Sequence, residues 1–280
     1  MVRDIMSHIW KHPLSEVEGE DGLVVAIVDR IYCLHRGRLY RIAERGGLVL
    51  TLCIHEGRLY DAGRYMRVCD TLADKEVAER PHWILSLCSH QGQLYDAGSY
   101  NGVWETLGNR PVAERGVSVH TLCDHEGTLF DGTAGGHIYE TLAGSKVAHR
   151  GDEVLTLCSH AGGLFDAGED GAIHETLTGR CVATRPGPVL SLCSHQGTLY
   201  DGEAVGLIRE TLSNRQVADR EFPVTVLISH AATLYDSGPH GSIYRTLESR
   251  EILYGRKAVM VMASPPPDLF QELLARGTPV

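Results

Sequence analysis

The chain has 280 residues, 43% of them hydrophobic, and a mean hydropathy of −0.12, a balance that points to a folded globular protein and away from disorder. A net charge of −10 disfavours a general phosphate-backbone binder, so nucleic acid is not an expected partner. No apolar run reaches the roughly 18 residues of a membrane span, and Met1 to Met6 lacks the apolar core of a signal peptide.

Residues 1–22 precede any pattern and read as an N-terminal extension, acidic and loop-like from Ser15 to Gly22. Leu23 to Val28 is a β-branched run of strand length, followed by Ile31 to Leu34 and by Leu39 to Arg45. From about residue 48 a motif recurs every 35 residues: V-x-[ST]-L-C-x-H-x-G-x-L-[YF]-D, then G-x-I-x-E-T-L, then V-A-x-R. Its histidine returns as His55, His90, His125, His160, His195 and His230. The copies span about 48–80, 83–115, 118–150, 153–185, 188–220 and 223–256. In the copy beginning at Val189, the run to His195, Thr198 to Asp201, Leu207 to Leu212 and Gln216 to Arg220 are four short strands. Gln196-Gly197, Gly206 and Ser213-Asn214-Arg215 make the turns between them. One antiparallel four-stranded sheet per period is the signature of a propeller blade.

Val259 to Ser264 supplies one further first strand, with nothing after it to complete a blade. The N-terminal segment has the strands that are missing there and lacks the one that is present. The expected fold is therefore all-β: a seven-bladed propeller of four-stranded antiparallel blades over residues 23–264, its shared blade built from 23–45 and 258–264. The tail, 265–280, predicts a short helix, with prolines before it and Gly277 after it. It is expected either to clamp the propeller rim or to bind a partner.

The repeat resembles a WD-repeat or YVTN-type propeller blade over roughly residues 23–264. Gly197-Thr198-Leu199-Tyr200-Asp201 matches the second strand of such blades and Ile208-Arg209-Glu210-Thr211-Leu212 the third. Glu-Thr replaces the Trp-Asp pair, no Gly-His opens each unit, and the period is short. The resemblance therefore implies a fold and no functional family.

Imidazole is a metal ligand, but a metal site needs three or four ligands on one ion, and equivalent positions in seven blades are spread round a ring. The histidines are expected to bond backbone locally, with no metal and no cofactor. The repeated aspartates, Asp61 to Asp236, are expected to bond their own backbone before a turn and to meet the arginines Arg45 to Arg220 of neighbouring blades. Cys53, Cys88, Cys123, Cys158 and Cys193 share one strand position and Ile228 replaces them in the sixth copy, which treats cysteine as a buried hydrophobe. Reduced thiols without a signal peptide imply a cytoplasmic protein.

Function is expected where one face breaks the repeat. Arg64, Tyr65, Arg67, His82, Trp83, Tyr100 and Asn101 form an aromatic and cationic quarter suited to a protein, peptide or anionic partner, its three rings expected to lie together and exposed. Asp152, Glu153, Glu169, Asp170 and Glu203 form a possible acidic patch, and His137 and His240 are isolated departures. No catalytic motif is present. The leading expectation is a non-catalytic binding or scaffold module. The alternative is a hydrolase or lyase with a metal or acid/base site in the central channel, as in other propeller enzymes.

Overall fold

The computed structural model describes residues 22–280, so the extension before Gly22 lies outside the described residues. Seven antiparallel sheets form the ring that the repeat predicts. In the fourth blade the strands Val119–His125, Thr128–Thr133, His137–Glu140 and Ser145–His149 are hydrogen-bonded in chain order. The first strands neighbour one another round the axis, from Val49–His55 through Val226–His230 to Val259–Ala263, which returns to Val49–His55. Both faces of a blade meet a neighbour, so a strict apolar/polar alternation would bury charge. Tyr95, Ala97 and Val103 of the third blade instead pack on Val119, Leu122 and Leu129 of the fourth. The pair after each histidine from His55 to His195 makes a type I′ hairpin turn: Glu126 and Gly127 have φ of 49° and 76°.

The shared blade closes the ring. Val259–Ala263 pairs antiparallel with Leu23–Ile27, followed outward by Arg30–His35 and Arg38–Glu44. The tail then clamps this blade. Helix Pro267–Arg276 buries Leu269, Phe270 and Leu273 against Val24, Ala26, Ile31 and Val49, and Arg276 donates to the Leu72 carbonyl of the second blade (3.2 Å). Thr278–Pro279 adds a fifth strand to the blade's outer edge. Such an edge is otherwise a template for aggregation.

Two rows of polar contacts lock the joints. In the first, each repeat arginine forks onto the aspartate 16 residues later, in the next blade: Arg45–Asp61, Arg80–Asp96, Arg115–Asp131, Arg150–Asp166, Arg185–Asp201 and Arg220–Asp236, with Nε and Nη2 donating over 2.6–2.8 Å. The inter-blade pairing is as expected, but the aspartates lie within the second strand, so no turn backbone is within their reach. In four of the blades a threonine takes up further capacity, as Thr71, Thr106, Thr176 and Thr211 donate to Asp61, Asp96, Asp166 and Asp201 over 2.7–2.9 Å. Rings cover several guanidinium groups, with Arg80 4.5 Å from the Trp104 centroid, and Arg115 and Arg220 4.2 Å from Tyr139 and Tyr244. The acid of E-T-L serves its own blade: Asp70 and Glu105 accept the backbone N–H of Ala73 (3.1 Å) and Gly108 (3.0 Å) in the turn that follows.

In the second row the histidines reach across the joint instead of bonding local backbone. His55, His125, His160, His195 and His230 bond Ser89, Ser159, Ser194, Ser229 and Ser264 through Nδ1 over 2.7–2.9 Å, and His90 bonds Asp124. The ring therefore points away from its own turn and tilts against an aromatic of its blade, such as Phe130 beside His125.

The five repeat cysteines are free and mostly half-buried. Burial pushes the thiols up, to about 11 for Cys53 and about 12 for Cys123, Cys158 and Cys193. A thiol held protonated reacts slowly. Cys181, by contrast, lies exposed on an outer strand.

Three outcomes follow for the folded protein. Asp131→Ala leaves the Arg115 guanidinium, with 5% of its side chain exposed, without its carboxylate; a loss of about 3–5 kcal/mol is expected, read as a lower urea midpoint. Truncation before Lys257 removes the strand that completes the shared blade, and should cause aggregation or a large fall in melting temperature; an undiminished value would show that the chain ends do not cooperate. A thiol reagent should modify Cys181 rapidly and the five repeat cysteines only on unfolding, as peptide mapping of labelled sites would show.

Candidate functional site

The connections between blades and those between second and third strands open on one face, because each pair is joined by backbone. Arg64 N–H bonds Leu48 O (2.9 Å), Ser99 N–H bonds Trp83 O (3.0 Å), and Glu169 N–H bonds Glu153 O (3.3 Å). The second-to-third-strand turn needs a residue at positive φ, supplied by Gly136, Gly171, Gly206 and Gly241 in the later blades. A Cβ at Gly136 would come within 2.4 Å of the Arg150 carbonyl. The second and third blades nevertheless place Met66 and Asn101 there, at φ of 61° and 64°. Asparagine tolerates this region, whereas methionine stores strain in it. Met66 is also 40% exposed, an apolar side chain held outward on the face that departs most from the repeat.

Around it the predicted quarter divides. Arg64 lies across the joint on Trp83, its guanidinium 4.1 Å from the ring centroid, and Trp83 remains 43% exposed. His82 and Asn101 are exposed beside them, and Arg67 is exposed with Glu76 at 3.3 Å. Tyr65 and Tyr100 turn inward instead, against the expectation of three exposed rings together. Their hydroxyls donate to Asp61 and Asp96, so these half-buried rings extend the inter-blade forks. Burial, then the adjacent carboxylate, drives both hydroxyls above the ordinary tyrosine range. The repeat had a signal for this: each tyrosine lies four residues after its aspartate.

Asp152, Glu153, Glu169 and Asp170 are exposed on the loops of the fifth blade. Glu203 is not part of that surface. It is fully buried in strand Thr198–Glu203, where it accepts from Arg209 Nε (2.9 Å) with Arg185 Nε at 3.8 Å. Position within the strand, rather than charge, decides its direction. The isolated His240 stacks at 4.6 Å on Phe222, and His137 meets His149 on the rim of the fourth blade.

The innermost strands carry Leu50, Leu85, Leu155 and Leu190 at one half-buried position, and His120 in the fourth blade. Burial holds His120 below the usual imidazole range, and its Nδ1 lies 3.6 Å from Glu153. The sequence pattern hid this departure, because His120 precedes a strand core that is otherwise regular. Among the described residues, no three His, Cys, Asp or Glu side chains are arranged to hold a metal ion, and no helix is long and apolar enough to cross a membrane.

No family model matches the sequence, and no curated protein matches it. Solved structures do match in shape. The computationally designed Ika8 protein superposes with a TM-score of 0.62 at 12% identity, over 89% of this chain and 92% of that one. The WD40 β-propeller domain of Doa1 superposes with a TM-score of 0.58 at 14% identity, over 72% of this chain and 80% of that one. At these identities the likeness is one of fold: the chain is a seven-bladed, WD-repeat-like β-propeller.

Proposed function

We propose that the protein is a non-catalytic binding or scaffold module, and that the loop face of its second and third blades holds an anionic peptide or protein segment. The stacking of Arg64 on the exposed Trp83 carries this reading. A tryptophan with a guanidinium laid over it presents a flat apolar surface edged with free N–H donors, the chemistry found at interface hot spots. The outward-held Met66 adds an adaptable apolar contact, and His82, Arg67 and Asn101 supply a polar rim. Tyr65 and Tyr100 act from beneath, bracing the loops on Asp61 and Asp96. The WD40 fold is commonly used to bind protein partners, which agrees with this use of the face. Asp152, Glu153, Glu169 and Asp170 offer a second surface, facing cationic segments. Eight free cysteines suit a reducing compartment, and we place the protein in the cytoplasm. Residues 23–264 act as one propeller domain, with 265–280 as its latch.

An acidic peptide selected from a random library on the immobilised protein supplies the test. Its affinity should fall at least tenfold, about 1.4 kcal/mol, when Arg64→Ala and Trp83→Ala are combined, with the melting temperature unchanged. It should also weaken as salt is raised and be unaffected by Asp170→Asn. Undiminished binding to the double variant would remove this face as the site.

A further inference from the structure

The fourth blade carries a pair of histidines that the ring does not use. His137 and His149 are directly opposed on its two outer strands, with the imidazoles meeting Nδ1 to Nδ1 at 2.7 Å and centroids 4.3 Å apart. Both are departures from the repeat. The positions equivalent to His137 hold Arg67, Gly102, Ala172, Leu207 and Ser242, and those equivalent to His149 hold Glu79, Glu114, Thr184, Asp219 and Tyr254. The backbone under His137 is pinned, since Thr133 Oγ1 accepts its N–H (3.1 Å) and donates to its carbonyl (3.0 Å). The Tyr139 ring stands edge-on at 5.9 Å. The pair is therefore held on a rigid sheet edge and open to solvent.

Two ring nitrogens at this separation share one proton, one donating and the other accepting. A second proton is opposed by the partial burial of His137, by Lys146, the charged group facing the pair, and by His149 itself. A metal ion can stand where the shared proton does. Metal–nitrogen bonds of about 2.0–2.1 Å, meeting at tetrahedral or square angles, need nitrogens roughly 2.9–3.4 Å apart, so a few tenths of an ångström of ring rotation opens the pair to that bite. We propose that His137 and His149 form a two-imidazole site for a divalent transition ion, binding Cu²⁺ more tightly than Ni²⁺ or Zn²⁺ as nitrogen ligands dictate. Water completes the coordination, since no third protein ligand converges there among the described residues.

Titration of the full chain with Cu²⁺ in a weakly coordinating buffer tests the proposal. The first equivalent should give an electron paramagnetic resonance spectrum with hyperfine splitting from two imidazole nitrogens. Its affinity should drop at least tenfold in His137→Ala and in His149→Ala, and should fall as pH is lowered below the imidazole range, because protons compete for the same nitrogens. His82→Ala, at another exposed histidine, should bind as the unaltered protein does. Because the pair is at the surface, both His137→Ala and His149→Ala should keep the metal-free melting temperature, which separates lost ligation from lost fold. An unchanged first-equivalent affinity and spectrum in His149→Ala would overturn the assignment, as would binding that His82→Ala abolishes.

Discussion

The arginine–aspartate fork between neighbouring blades is the contact to which the rest of the ring is fitted. It places a full charge pair between apolar sheets, where a lone carboxylate or guanidinium would be strongly destabilising. It is tolerable because each aspartate accepts two guanidinium donors, Asp61, Asp96, Asp166 and Asp201 accept a threonine hydroxyl as well, and Asp61 and Asp96 also a tyrosine, while an aromatic ring shields several of the arginines. A fork accepts one register only. An inter-blade surface made solely of Val, Leu and Ala could slide, whereas Arg115 meeting both oxygens of Asp131 fixes the rotation of one blade on the next.

Closing the ring interrupts both polar rows, each on a different flank of the shared blade. One repeat step before Asp61 stands Ala26, and one step after Arg220 stands Gly255, so the seventh blade meets the shared blade without a fork. Tyr32, Leu34, Tyr235, Ile243, Ile252 and Met262 fill that joint with apolar contact instead. On the other flank Pro265 and Ile54 occupy the histidine and serine positions, and the C-terminal helix packs there with Phe270 against His35. Replacing a buried polar pair by packed hydrophobic groups is energetically acceptable. The shared blade thus joins its neighbours largely by burial, with the terminal helix and the edge strand covering what a complete repeat would have covered.

Departures from the repeat mark the places where a binding surface can exist, but a departure does not say which way its side chain faces. Trp83 and Met66 point outward, and they form the face proposed for binding. Tyr65 and Tyr100, equally irregular, serve the joints beneath it, and Glu203, set inward by its place in the second strand, meets Arg209 and Arg185 there. His137 and His149, twelve residues apart in the chain, become a pair only because the outer hairpin of the fourth blade opposes them.

The period of 35 residues by itself determined the blades, their number, their turns and the sharing of one blade between the chain ends. It could do so because a blade is local: its four strands follow one another, and most turns carry glycine, asparagine or aspartate at a position of positive φ. The pairing of Arg45 with Asp61 was also legible, since a repeated residue at a blade's end can only meet a repeated residue in the next. The direction of the repeat histidines was decided by tertiary structure. Whether His55 bonds its own turn or Ser89 depends on how far the neighbouring blade stands and how it is rotated. Those quantities are set by packing and by the forks acting together, across residues the chain does not place side by side.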